Sequence, residues 1–150
     1  MALTVERIQQ ARERISPYIV QTPMLRMKSL DRYLGCQVYV KAECMQTTGS
    51  FKLRGAVNKA LTLTPEQLKC GIVAASSGNH GKGIAYAAKM LGSKATIVVP
   101  YTTTQVKVDA IRALGAEIVQ CETPVRFQVA EELSHKLGAT MIQSFNDEDI

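Results

Sequence analysis

Apolar residues fall along this chain in two rhythms, short continuous runs and longer stretches in which they return every three or four positions, and the two alternate. Gly71 to Ala75, Ala95 to Val99 and Ala116 to Val119 are apolar runs that predict strands, and each feeds a helical pattern. A last strand is expected near Thr140 to Gln143, after Gly138. Upstream, Val5, Ile8, Ala11 and Ile15 share one helical face behind a Thr4 cap, and Pro17 ends that helix. Ser29 can cap a short helix carrying Leu30, Tyr33 and Leu34, closed by Gly35, and Gln37 to Lys41 alternates like a strand, with Val38 and Val40 on one side. Ser50 to Leu63 reads as a helix, followed by Thr64-Pro65-Glu66-Gln67, a capping box with proline at the first helical position. Strands separated by helices of this length lie parallel, so the fold class is α/β, an open parallel sheet flanked by helices. Ser144 to Ile150 is loop-like and stops without a closing element, which predicts a truncated chain or an isolated domain.

Composition narrows the classes. With 46% hydrophobic residues among 150, the chain can fill one core of ordinary domain size. No apolar stretch approaches the roughly 18 residues a membrane span needs. The opening lacks a signal core, and Glu6 and Glu13 interrupt the acid-poor pattern of a transit peptide, so a cytoplasmic location is expected. The net charge of +5 comes from 18 basic and 13 acidic residues scattered along the chain, and with three Phe, five Tyr and no Trp it argues against a nucleic-acid partner. Cys36, Cys44, Cys70 and Cys121 lack C-x-x-C spacing and read as buried or half-buried free thiols. No His/Asp/Glu cluster has metal-ligand spacing.

Two stretches carry candidate chemistry. In the first, the strand ending at Ala75 runs into Ser76-Ser77-Gly78-Asn79-His80-Gly81-Lys82-Gly83 and then a helix. Small and polar residues there free backbone N–H groups at the positive end of a helix, which suits a phosphate or carboxylate. It is neither a Walker A loop, since Gly83 follows Lys82, nor a dinucleotide fingerprint, since the third glycine is missing. The same residues also suit a plain strand-to-helix turn with glycines for close packing. His80 and His135 read as a turn residue and a helix-surface residue.

In the second, Thr47-Thr48-Gly49-Ser50-Phe51-Lys52-Leu53-Arg54-Gly55-Ala56, a lysine sits in the first turn of a predicted helix. The positive helix end, with Phe51 and Leu53 excluding water, favours a neutral amine at Lys52. A neutral amine is a nucleophile toward an aldehyde or ketone. Gly55 and Ala56 are expected to leave a shallow helix face for something bulky. An exposed lysine at a helix start is the plainer reading of the same residues.

Together, Ser50-Phe51-Lys52-Leu53-Arg54-Gly55-Ala56 and Ser76-Ser77-Gly78-Asn79-His80 resemble the paired signature of the fold type II pyridoxal-phosphate enzymes, specifically the serine/threonine dehydratase and serine racemase family. Thr22-Pro23-Met24-Leu25, Lys41-Ala42-Glu43, Pro100 with Lys107, Gly115-Ala116-Glu117 and Phe145-Asn146-Asp147 fit the same pattern. The resemblance implies a tryptophan synthase β-like fold cut before most of its large domain, with 1–48 belonging to that domain, 49–145 forming the small α/β domain and 146–150 starting the return. It implies pyridoxal 5'-phosphate as cofactor, Lys52 as the Schiff-base lysine, Phe51 beside the cofactor ring and Asn79 on its phenolic oxygen. Ser76, Ser77 and the amides around Gly78, Asn79 and His80 would hold an amino-acid carboxylate. In racemising relatives the serine matching Ser77 handles a proton on the opposite cofactor face. The implied reaction converts threonine to 2-oxobutyrate, or serine to pyruvate, with release of ammonia, and relatives commonly dimerise.

Racemisation is the rival within the class. A fragment unable to hold the cofactor and an unrelated α/β binding module are the rivals outside it. The chain departs from the family pattern at Thr103-Thr104, where Ala-Pro is usual, and at Gly81-Lys82, where a small residue and Gln are common. The resemblance puts the phosphate-binding loop and the residue facing the pyridine nitrogen beyond Ile150.

Overall fold

A computed structural model describes residues 3–150, so Met1 and Ala2, at the head of the opening without a signal core, lie outside it. Helix α1 (Val5–Ile15) starts where expected, with the Thr4 hydroxyl accepting from the Arg7 amide, and runs into a 3-10 turn at Ser16–Tyr18. A strand the apolar pattern does not reveal, β1 (Met24–Arg26), pairs antiparallel with β2 (Tyr39–Lys41). Between them α2 (Lys28–Leu34) starts one residue before the expected Ser29 cap. Ser29 therefore lies inside the helix, no side chain caps it, and the Met27 carbonyl takes the Leu30 and Asp31 amides. Gly35 closes α2 in the left-handed region, at φ +68°.

The other elements form the α/β body: α3 (Lys52–Leu61), α4 (Pro65–Cys70), β3 (Ile72–Ala75), α5 (Asn79–Met90), β4 (Ala95–Pro100), α6 (Gln105–Arg112), β5 (Glu117–Cys121), α7 (Arg126–Leu137) and β6 (Thr140–Met141). The capping box at α4 is formed on both sides. The four strands lie parallel in the order β5-β4-β3-β6. All residues of β3 and β4 are buried, because helices cover both faces and leave no polar side to alternate with. Ile72, Ala74, Ile97 and Val99 face α3, α5 and α6, whereas Val73, Ala75 and Val98 face α7.

The chain thus moves outward from β3 through β4 to β5 with its connecting helices on one face, then crosses on the other face to place β6 on the far side of β3. Such a reversal leaves a crevice beyond the carboxyl ends of the two neighbouring strands whose connections leave on opposite faces, here β3 and β6, where open α/β sheets bind ligands. Among the described residues no helix is long and apolar enough to cross a membrane. All four thiols are free, but Cys36, Cys44 and Cys70 are exposed, contrary to the burial expected, and only Cys121 is buried.

Candidate active site

Both candidate stretches meet at that crevice. Leaving β3, the Ser76 amide still donates to the Val98 carbonyl at 3.0 Å, so the serine turn begins from a fixed edge. The Gly78 amide then donates to Ser76 Oγ at 3.3 Å, and Asn79 opens α5. The first amides of α5 have no carbonyl within the helix to bond and point out of its end. A Cβ on Gly78, the residue before α5, would meet nothing within 4 Å, so the space beside the turn is open there. Two residues into α5 the opposite holds, because a Cβ on Gly81 would lie 2.5 Å from the Ser76 carbonyl oxygen. Glycine there lets the helix fold back tightly against its own approach.

Lys52 enters from α3, of which it is the first residue. It follows a stretch in which Gln46, Thr48 and Ser50 are buried, Gln46 clamps Val20 through both amide atoms, at 2.7 and 3.0 Å, and Gly49 turns at φ +78°. Half-buried, Lys52 carries its Nζ 3.4 Å from the Ser144 carbonyl, just past β6, and 5.5 Å from the centre of the Phe51 ring. Helices α3 and α5 approach closely enough that a Cβ on Gly83 would stand 3.1 Å from Ala56 Cβ and 3.3 Å from the Lys52 carbonyl. Lys82 of α5 ties down the segment before α3, donating from Nζ to the carbonyl of the buried Thr48 at 3.0 Å. This departure from the family pattern therefore bridges the two candidate stretches.

Ser77, Gly78, Asn79 and Lys82, with Val106 and Lys107 of α6, line a depression of about 180 Å³. Lys52 does not line it and lies toward β6 instead. Thr104 stands exposed at the entrance of α6 without a side-chain cap bond.

Three local readings need correction. Leu53 does not shield the lysine, since it is fully buried in the core, and Phe51 is 60% exposed. The face at Gly55 and Ala56 is not open, because Ala56 meets α5 and a Cβ on Gly55 would lie 2.5 Å from the Ile150 carbonyl oxygen. His80 is a buried residue of α5, whereas His135 is exposed on α7 as expected. The burial of His80 was legible, since His80, Ile84, Ala87 and Ala88 repeat at helical spacing and all are buried. The Ser144 carbonyl and the buried, unpartnered hydroxyls of Thr48 and Ser50 carried no sequence signal.

A sequence model described as pyridoxal-phosphate dependent enzyme matches residues 15–150. The chain belongs to this family. A serine racemase of Oryza sativa subsp. indica is 36% identical over 99% of this chain and 44% of its own length. A putative threonine dehydratase of Sinorhizobium fredii is 42% identical over 96% and 44%. The solved structure of maize serine racemase superposes with a TM-score of 0.94 at 34% identity, covering 99% of this chain and 46% of that one. The chain therefore spans under half the length of these relatives, and its fold is the open parallel α/β arrangement of the fold type II pyridoxal-phosphate enzymes.

The residues present fit one end of that cofactor. An amine suits its aldehyde and a carboxamide and hydroxyls suit its ring oxygen, while the open space beside Gly78 at the start of α5 suits the carboxylate of an amino acid rather than any group of the cofactor.

Proposed function

We propose that this chain is the N-terminal portion of a cytoplasmic threonine/serine dehydratase that converts L-threonine or L-serine to a 2-oxo acid and ammonia. The observation that carries the reading is the position of Lys52, whose amine meets the exit of β6 while its helix packs on the one that starts at the serine turn. In the proposal Lys52 would hold the cofactor's aldehyde through Nζ, and once the substrate amine has taken its place there the freed Nζ would accept the proton from the substrate α-carbon. Pyridoxal phosphate, when bound, supplies an electron sink for the pair left on that carbon. Asn79 offers its carboxamide to the ring oxygen, and the half-exposed side of Phe51 borders the ring. Ser76, Ser77 and the amides at Gly78, Asn79 and His80 orient the carboxylate at the start of α5.

Residues 1–48 belong in this reading to a large domain, 49–145 are the small domain and 146–150 begin the return, with a homodimer as the complete assembly. Racemisation is the second reading, favoured by the likeness to maize serine racemase and by Ser77 lining the depression beside Asn79. There Ser77 Oγ would deliver a proton to the face opposite Lys52.

The test on this chain is borohydride treatment after soaking with pyridoxal phosphate, followed by peptide mapping. A reduced adduct concentrated on Lys52 supports the reading. An adduct spread over exposed lysines such as Lys28, Lys69 and Lys89 overturns it. In the complete enzyme, Lys52→Ala should abolish turnover, and Ser77→Ala should remove racemisation while sparing elimination if the second reading holds.

A further inference from the structure

His80 is a titratable side chain that the proposed chemistry leaves unused, since only its backbone amide faces the carboxylate. The ring is 4% exposed, and its Nε2 lies 3.1 Å from the Ile142 carbonyl oxygen. A carbonyl only accepts, so Nε2 must carry the proton, and Nδ1 is left as a buried lone pair with no hydrogen-bond partner. Two residues beyond Ile142 lies Ser144, whose carbonyl receives the Lys52 amine. The segment leaving β6 is therefore gripped twice, by His80 from α5 and by Lys52 from α3.

We propose that His80 is a positioning residue for Lys52: by holding the Ile142 carbonyl it fixes the segment leaving β6 and so sets the Ser144 carbonyl against the lysine amine. Three further observations fit. Of the short β6, only Thr140 and Met141 pair with β3, and the last backbone bond to that strand is made by the Ile142 amide, so the ladder stops before Ser144, which the site uses. The Ile142 amide donates to the Val73 carbonyl at 2.9 Å, so one residue is fixed on its amide side by the sheet and on its carbonyl side by His80. Finally, burial holds the imidazole below its usual value of 6.5, and the nearby Lys52 charge lowers it further against the opposing Ile142 bond and Asp147, so the ring stays neutral with this tautomer at pH 7.

The inference rests on the reading of Lys52 as the reactive amine, but its test uses no cofactor. In His80→Leu the anchor is gone. In His80→Gln the side-chain amide can still donate to Ile142. Reductive methylation at pH 7 with formaldehyde and cyanoborohydride, scored by peptide mapping against the exposed Lys69, should run roughly three- to tenfold faster at Lys52 in the Leu variant, the factor one lost hydrogen bond gives. The Gln variant should restore the wild-type ratio. Equal ratios in wild type and a folded Leu variant, or identical behaviour of Leu and Gln, would overturn the proposal.

Should the Leu variant fail to fold, long-range proton–nitrogen correlation on the wild type decides. The expected spectrum is neutral and Nε2-protonated at pH 7, and a proton on Nδ1 sinks the idea. In Lys52→Met the His80 titration should move up, because a positive neighbour has gone, whereas an unchanged titration counts against the coupling. If these outcomes hold and the borohydride adduct does not form at Lys52, the function proposed above fails and the positioning contact stands.

Discussion

At the scale of single residues, glycines in one turn separate what the fold needs from what the site needs. A methyl at position 81 meets a backbone oxygen at 2.5 Å inside a buried helix start, where no flexible side chain can yield. Gly81→Ala should cost about 1–3 kcal/mol in urea unfolding, the range for overpacking a tight core. A methyl at position 78 meets nothing, so Gly78→Ala should leave the midpoint near wild type yet weaken retention of a carboxylate in front of α5. Equal stability losses in both variants would show that the turn's glycines serve only the backbone. A second residue-scale prediction concerns Glu43, whose carboxylate accepts from Arg54 at 2.7 and 2.9 Å and from the Thr22 hydroxyl. Hydrogen bonding to Arg54 holds its pKa below the ordinary 4.5 despite partial burial. The folded state then binds fewer protons than the unfolded one, so this stabilisation is complete above about 4.5 and is lost as pH falls through the lower folded value. Arg54→Met should therefore be less stable than wild type at pH 7, with the gap narrowing below pH 4.5. A gap of constant size from pH 7 to pH 3 would refute it.

At the scale of elements, the crossing of α3 on α5 decides where Lys52 stands. Ala56 and Gly83 are small because the helices meet through them, so Ala56→Leu should cost about 1–3 kcal/mol and push the first turn of α3 away from the serine turn. The readout is a denaturation midpoint together with amide shifts at Lys52 and Asn79. A stable variant with both shifts unmoved would mean that the crossing does not position the lysine. The same crossing explains what was legible in the sequence. Strands β3 and β4 could be read because burial on both faces leaves apolar runs broken only by the buried Thr96, and the α4 box could be read because Thr64 and Gln67 bond each other's backbone locally. The β1–β2 ribbon could be read only in half: Gln37 to Lys41 alternates like a strand and contains β2, whereas β1 and the pairing left no local pattern. It has three residues per strand, all of them exposed, and Met24 finds Lys41 only across an intervening helix. The site divides in the same way. Lys52 at a helix start and the serine turn after a strand are local patterns, whereas the fate of Gly55 and Ala56 depends on α5 and Ile150, partners that no local period encodes.

On the scale of the whole molecule, burial is unequally shared. The segment 3–45 contributes only Ile15 and Ala42 to the buried apolar set, while Val5, Ile8, Met24 and Tyr33 stand 64%, 53%, 57% and 85% exposed. Side-chain bonds hold this segment to the body instead, among them Arg14 to Asn58 at 2.6 Å and the Gln46 clamp on Val20. Few buried contacts mean cheap local opening, so native-state hydrogen exchange should divide the chain. Amides of β3, β4 and α5 should exchange only through global unfolding, and those of β2 and α2 at least about 100-fold faster at pH 7. The contrast also bears on the proposal that residues 1–48 belong to a large domain, because a face meant to be covered should be quiet only when covered. In the complete enzyme the Val40 amide should therefore slow toward the rate of Val98, whereas in this chain it should exchange like a surface ribbon. Equal protection of Val40 and Val98 in the 150-residue chain would mean that the ribbon is stable without any cover, and the division at residue 48 would lose its physical basis.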